Sequence, residues 1–92
     1  MTHEIKILES YADAIVEGRK TFEVRLNDRG YNCGDYVHFV DVLYNGIPIP
    51  HPLKDMKFRI TYVHSGLGLE KDYVVFGIER VEEGAEDGTN ND

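Results

Sequence analysis

GRKTFEVR, residues 18–25, is the stretch in which we expect a helix to end, a strand to begin and charged residues to gather. Gly18 suits the position after a helix, because glycine adopts the left-handed backbone conformation without strain. From residue 21 onward, polar and apolar residues alternate with the period of a strand. We expect the apolar face to anchor the strand and the polar face to be presented, the sets being Phe22, Val24 and Leu26 against Thr21, Glu23 and Arg25. With Lys20 at the junction, the corner offers an ammonium, a carboxylate and a guanidinium to one ligand.

The rest of the sequence predicts one helix near the N-terminus and a series of short strands. Alternation indicates a first strand over residues 4–8, and helical spacing indicates a helix near residues 10–17. Ser10 and Asp13 have the spacing of a capping box at the start of that helix. Later strands are expected at residues 36–43, 57–64 and 73–81, and the apolar start of the last one predicts burial on both faces.

Turn residues between these strands predict how the sheet is connected. The sequence Tyr44-Asn45-Gly46-Ile47 is typical of a two-residue hairpin. Prolines at positions 48, 50 and 52 then favour an extended edge segment, because proline cannot donate to a neighbouring strand. Five or six strands with one early helix predict an α+β, mainly β fold, a small closed or nearly closed β-barrel plugged by the helix.

Length and charge indicate one small domain with a distinct C-terminal end. The chain has 92 residues and a net charge of −7, and five of its 17 acidic residues lie in residues 82–92. We expect residues 1–81 to form the domain and residues 82–92 to be an acidic, disordered tail. The single cysteine, Cys33, the absence of a long apolar run and the polar N-terminus predict a soluble, monomeric, cytoplasmic protein that is not bound to membranes. No metal and no cofactor are predicted.

Three segments of the chain, in order, resemble one family. GRKTFEVR matches the GxKxxExR motif of ASCH domains, which belong to the PUA-like superfamily. NDRGYNCGD, residues 27–35, and HSGLGLEKDYVVFGI, residues 64–78, resemble further segments of the small bacterial and phage ASCH-like proteins of the DUF3850 group. The resemblance spans roughly residues 3–81 and excludes the acidic tail.

This resemblance implies a PUA-like β-barrel whose motif lines a cleft beside the first helix and binds RNA or a nucleotide-like ligand. Some ASCH relatives are similar to acetylcytidine amidohydrolases, in which the motif lysine acts with a threonine. Here Glu23 stands at the position of that threonine, and the only later glutamate in a comparable region is Glu70, in a predicted loop. Other relatives have been viewed as nucleases.

The three charged residues of the motif each have a functional and a structural interpretation. Lys20 is suited to contact a phosphate or to act as a base, or it is a cation that stabilises the helix end. Glu23 is suited to accept hydrogen bonds from a base edge or to act as a general acid or base, or it is an ion-pair partner of its neighbours. Arg25 is suited to phosphate or base contact, or to a bridge to Glu23.

Three residues outside the motif complete the candidate site. Arg29 lies in the turn-rich loop that follows the strand and is suited to contact a phosphate. Tyr31, in the same loop, is suited to stack on a base of a single strand. His64, at a strand end beside a glycine-containing loop, is suited to bind a ligand or to titrate.

Three classes of function remain open at this point. The leading hypothesis is a small nucleic-acid-binding module for RNA or a nucleotide-like ligand. The alternative is a hydrolase of a modified nucleoside, or a ribonuclease, with Lys20 and Glu23 as catalytic residues and Arg25 orienting the substrate. A protein-interaction module using the acidic surface is the third.

Overall fold

The computed structural model describes residues 1–82, which form six β-strands and one α-helix. The predicted disordered tail lies, apart from Glu82, outside the described residues. In chain order the elements are β1 (Thr2–Leu8), α1 (Glu9–Val16), β2 (Phe22–Leu26), β3 (Tyr36–Tyr44), β4 (Ile47–Ile49), a 3₁₀ turn (Pro52–Asp55), β5 (Lys57–Ser65) and β6 (Tyr73–Val81). Within residues 1–82, no helix combines the length and the apolar character needed to cross a membrane. The expected mainly β composition is confirmed.

The six strands form one sheet in the order β1-β3-β5-β6-β2, with β4 paired to β3 alone. The β1–β3 pair is parallel and the other pairs are antiparallel. The strands β1 and β2 end the sheet and do not pair with each other, so the predicted closure into a barrel is wrong. Side chains span the gap instead of a backbone ladder, since the Arg25 guanidinium donates to the Lys6 carbonyl 2.5 Å away. We call this gap between the edges of β1 and β2 the seam.

The edge of β2 that faces away from β6 carries the backbone amides and carbonyls of alternate residues. The Thr21 carbonyl accepts from the Ile78 amide, and the Asn27 amide donates to the Asp72 carbonyl. Backbone groups alternate in direction along a strand, so the amides and carbonyls of residues 22, 24 and 26 point away from β6. Within residues 1–82, no strand therefore pairs with this edge of β2.

The core lies between the inner face of the sheet and α1. Alternate residues of the strands supply most of it, and α1 adds Ala12 and Ile15. The buried apolar residues of the strands are Ile5, Ile7, Val37, Phe39, Val42, Phe58, Ile60, Val74, Phe76 and Ile78. The expected two-sided burial of β6 holds for one face only, because Tyr73, Val75 and Gly77 remain half-exposed on the other.

The strand β2 has the opposite orientation to the one predicted. Phe22, Val24 and Leu26 are between 43% and 49% exposed, whereas Glu23 is 3% exposed. The apolar face of this strand is thus outside and its polar face inside. Charge pairing explains the reversal, because a buried carboxylate is tolerated where cations neutralise it and donate hydrogen bonds to it.

The start of α1 also differs from the prediction. The helix begins at Glu9, its N-cap is Leu8, and no side chain caps it. Asp13 instead accepts a hydrogen bond of 2.7 Å from Nε2 of His51. Because Nδ1 of His51 accepts from the Leu53 amide, the proton of this imidazole is on Nε2. The pair joins the helix to the 3₁₀ turn.

The predicted hairpin is confirmed, and the predicted edge segment is confirmed at Pro48 only, because β4 ends at Ile49 and Pro52 begins the 3₁₀ turn. Asn45 and Gly46 have φ angles of 51° and 79°, the pattern of a type I′ turn, and Tyr44 pairs with Ile47. The proline-containing strand β4 pairs on one side only, as expected of proline at a sheet edge.

A buried pair joins the start of β1 to the loop before β3. Nε2 of His3 donates to Asp35 across 2.8 Å, and the Asn32 amide donates to the same carboxylate. These hydrogen bonds, chiefly that of His3, hold the pKa of the Asp35 carboxyl below its ordinary value of about 3.8, against an opposing effect of burial. A lowered pKa in the folded state stabilises the fold above the ordinary value, and this contribution is lost as the pH falls through the lowered one.

We therefore expect Asp35→Asn to be less stable than the unmodified protein near neutral pH and to lose less stability on acidification. Urea unfolding from about pH 6 to about pH 2 measures both effects. Asp55→Asn, at an exposed carboxylate, is the matched control and should follow the unmodified protein. Equal loss of stability below about pH 4 in all three proteins would contradict the assignment.

Candidate functional site

The helix-to-strand corner brings Lys20 to the end of α1. Gly18 has a φ of 82°, which favours glycine, and the amides of Arg19 and Lys20 both donate to the Ala14 carbonyl. These bonds satisfy the last turn of the helix and direct the chain into β2. The predicted helix stop at Gly18 is confirmed, and Lys20 lies where a cation is favourable for the helix dipole.

Glu23 is the centre of a charged triad. Its Oε2 lies 2.6 Å from Nζ of Lys20, and its Oε1 lies 2.9 Å from Nε of Arg25. The Glu23 side chain is 4% exposed, against 14% for Lys20 and 23% for Arg25. Each carboxylate oxygen is therefore paired with one cation, and the triad carries a net charge of +1.

The two cations also bind the backbone on both sides of the seam. Nζ of Lys20 donates to the Phe22 carbonyl across 2.5 Å, at the free edge of β2. Nη2 of Arg25 donates to the Lys6 carbonyl of β1. Residues 23 and 25 share one face of the strand because strand side chains repeat every two residues. The nitrogen atoms that hold the two edges of the seam are thus on the same side chains that are suited to contact a ligand.

A cleft of about 510 Å³ runs along the seam beside the triad. This volume falls within the range of ordinary small-ligand sites. Its wall on the β2 side consists of the outward-facing apolar residues of that strand, and the opposite wall comes from the end of β1 and the start of α1. The lining residues are Lys6, Ile7, Leu8, Tyr11, Lys20, Phe22, Glu23, Val24, Arg25, Leu26, Leu43 and Tyr73. The lining is therefore largely apolar, and its charged residues are the triad and Lys6.

Two aromatic rings of the cleft contact the Lys20 ammonium. Nζ lies 4.7 Å from the ring centre of Phe22 and 5.2 Å from that of Tyr11, within the range of cation–π contacts. Tyr11 is 50% exposed and Phe22 is 43% exposed. From the sequence, Tyr11 is identified only as a residue of the predicted helix, because no local feature shows that the first turn of α1 faces β2.

Arg29 and Tyr31 are placed away from the lining of this cleft. Arg29 is exposed in the loop after β2. Tyr31 is 4% exposed, and its ring packs at 4.7 Å between centres against both His3 and Phe76. Burial raises the pKa of the Tyr31 phenol, and the charges of Arg25 and Arg29 partly offset the rise. The ring is thus part of the core beneath the site.

His64 lies on β5, two strands from β2. It pairs with Val75, which in turn pairs with Val24, so these three residues share the outer face of the sheet. Its Nε2 is 2.9 Å from the Leu67 carbonyl, in the glycine-containing loop. The structure brings together Lys20, Glu23 and Arg25, and it does not bring His64 to them. Within residues 1–82, no three His, Cys, Asp or Glu side chains are grouped to hold a metal ion.

Fold and site together define a small, mainly β domain with an open seam and a charged, largely apolar cleft along it. A protein family described as a domain of unknown function (DUF3850) matches residues 2–78, and the chain belongs to this family. No curated protein matches the chain.

Removal of the Glu23 charge should destabilise the fold, because Lys20 and Arg25 would then be close together without a counter-charge. We expect Glu23→Gln to lower the free energy of unfolding by about 1–3 kcal/mol. Urea unfolding at neutral pH measures this change.

Glu17→Gln is the matched control. Glu17 also pairs with an arginine, Arg19, at 2.7 Å, but both side chains are more than half exposed. Its effect should stay within about 0.5 kcal/mol. Equal effects of the two substitutions would contradict a structural role for the triad.

Proposed function

We propose that the chain is a small nucleic-acid-binding module that takes RNA or a nucleotide-like ligand into the seam cleft. The observation that carries this proposal is the convergence of Lys20, Glu23 and Arg25 beside an apolar cleft of about 510 Å³. A flat base fits an apolar cleft with exposed aromatic rings, and the net positive charge of the triad favours a phosphate.

We further propose that the domain is an ASCH domain of the PUA-like superfamily. The GxKxxExR pattern with Gly18, Lys20, Glu23 and Arg25 supports this assignment. So do the mainly β fold and the position of the cleft next to α1. In this view the β1–β2 seam is the opening through which the motif meets its ligand.

Titration of the isotopically labelled full chain with a short single-stranded RNA tests the binding function. We expect amide shifts at residues 6–11 and 18–26, which surround the cleft. Because the triad has a net charge of +1, only one or two phosphates should be neutralised. The logarithm of the affinity should then fall with the logarithm of salt with a slope of about −0.7 to −1.4.

Lys20→Met should weaken this binding, whereas Lys71→Met, at an exposed lysine outside the cleft, should not. The same titration of a chain ending at Glu82 excludes masking by the acidic residues that follow. Absence of shifts at low salt in both chains would overturn the proposed function, because affinity that depends on phosphate is greatest there.

A hydrolase acting on a modified nucleoside is a second candidate, supported by one distance. Nζ of Lys20 and Oε2 of Glu23 lie 2.6 Å apart, within the reach of direct proton transfer. This candidate predicts release of acetate from N4-acetylcytidine, measured by chromatography, and loss of the reaction in Lys20→Met. Intact substrate after prolonged incubation with the unmodified protein would exclude this reaction and leave the binding function unaffected.

A further inference from the structure

The hydrogen-bonding capacity that remains in the triad consists mainly of donors. The Lys20 ammonium has three N–H groups, of which two bind Glu23 and the Phe22 carbonyl. The Arg25 guanidinium has five, of which two bind Glu23 and the Lys6 carbonyl. Both residues line the cleft, so their remaining N–H groups are available there to a ligand.

Glu23 contributes little acceptor capacity to a ligand. Both of its oxygens already bind a cation, and the side chain is 4% exposed. The tyrosine hydroxyls and the free edge of β2 supply donors and acceptors of ordinary strength. Hydrogen bonds from charged donors are roughly twice as strong as neutral ones, so the triad decides which polar groups the cleft favours. It favours acceptors.

The aromatic rings of Tyr11 and Phe22 complete the description of the ligand. Both line the cleft, both are about half exposed, and both lie within 5.2 Å of the same ammonium. A planar ring that stacks on either of them comes close to Lys20 at its edge. The ligand that fits is a flat ring whose edge carries two adjacent hydrogen-bond acceptors.

We infer that the cleft prefers guanine to adenine as the purine that stacks on Tyr11 and Phe22 and accepts hydrogen bonds from Lys20 and Arg25. Guanine offers two adjacent acceptors, O6 and N7, to an arginine fork. Adenine offers N7 beside an exocyclic amine, and this amine meets charged donors in the cleft. The inference rests on the proposed function and names the class of base that it selects.

Calorimetric titration of the full chain with the four nucleoside 5′-monophosphates tests the preference. The deciding comparison is guanosine against adenosine, whose bases have the same ring size. We expect the guanosine nucleotide to bind about tenfold more tightly than the adenosine nucleotide. Inorganic phosphate, added as a competitor, should not displace the guanosine nucleotide at the concentration at which that nucleotide saturates the protein.

The outcomes separate this inference from the proposed function. Affinities of the guanosine and adenosine nucleotides that are equal within about twofold would overturn the guanine preference and leave nucleotide binding intact. Displacement by inorganic phosphate alone would also overturn it, because the phosphate rather than the base would then be recognised. Absence of binding by all four nucleotides and by RNA would overturn the proposed function itself.

Variants of Tyr11 test the stacking part of the inference. Tyr11→Ala should weaken binding of the guanosine nucleotide about tenfold, and Tyr11→Phe should restore the affinity to within about twofold. Tyr44→Ala, at a 56% exposed tyrosine in the β3–β4 hairpin, is the matched control and should have no effect. Unchanged affinity in a folded Tyr11→Ala protein would overturn the stacking role.

Arg25→Lys tests the hydrogen-bonding part, because it keeps the charge and removes the planar fork. We expect the ratio of guanosine to adenosine affinity to fall towards one, with overall binding retained. An unchanged ratio would overturn the role of Arg25. Because Arg25 also spans the seam, the amide spectrum of the variant is compared first. If that spectrum shows a loss of fold, the inference is decided by the affinities of the Tyr11 variants and by the ratio of guanosine to adenosine affinity in the unmodified chain.

Discussion

The buried carboxylate of Glu23, held between Lys20 and Arg25, is the interaction on which the rest of this structure depends. A lone carboxylate at 3% exposure would carry a large desolvation cost, and two cations at 2.6 and 2.9 Å offset it. The pairing turns the polar face of β2 inward. It therefore turns Phe22, Val24 and Leu26 outward, where they form one wall of the cleft.

The same three side chains explain why the sheet stays open. A closed barrel would need the edges of β1 and β2 to exchange backbone hydrogen bonds at about 4.8 Å spacing. Here Arg25 donates to β1 and Lys20 donates to the edge of β2, so the charged groups occupy the space of a ladder. The residues proposed to bind a ligand thus also hold the sheet ends in position, and substitution of any of them affects stability together with binding.

Local sequence signals predicted the elements that depend on local physics. The Asn45–Gly46 turn, the proline-containing edge strand, the helix stop at Gly18 and the bounds of β6 all agree with the structure. Each of these follows from backbone conformation or from the missing amide of proline. The capping box did not form, because the helix begins at Glu9, before Ser10, and Asp13 pairs with His51, 38 residues away, a partner that no local pattern reports.

The sequence by itself determined that Lys20, Glu23 and Arg25 lie close together, because a strand period of two and the preceding corner require it. Only the tertiary structure decided which way this strand faces. Alternation identifies two faces but does not say which one is buried, and hydrophobicity alone selects the wrong one here. The charge pairs of Glu23 with Lys20 and Arg25 become buried only where β2 lies beside β1, and there Arg25 also donates to the Lys6 carbonyl, 19 residues earlier in the chain. The positions of Tyr31 in the core and of Tyr11 in the cleft were also decided by the tertiary structure, because both depend on packing between distant segments.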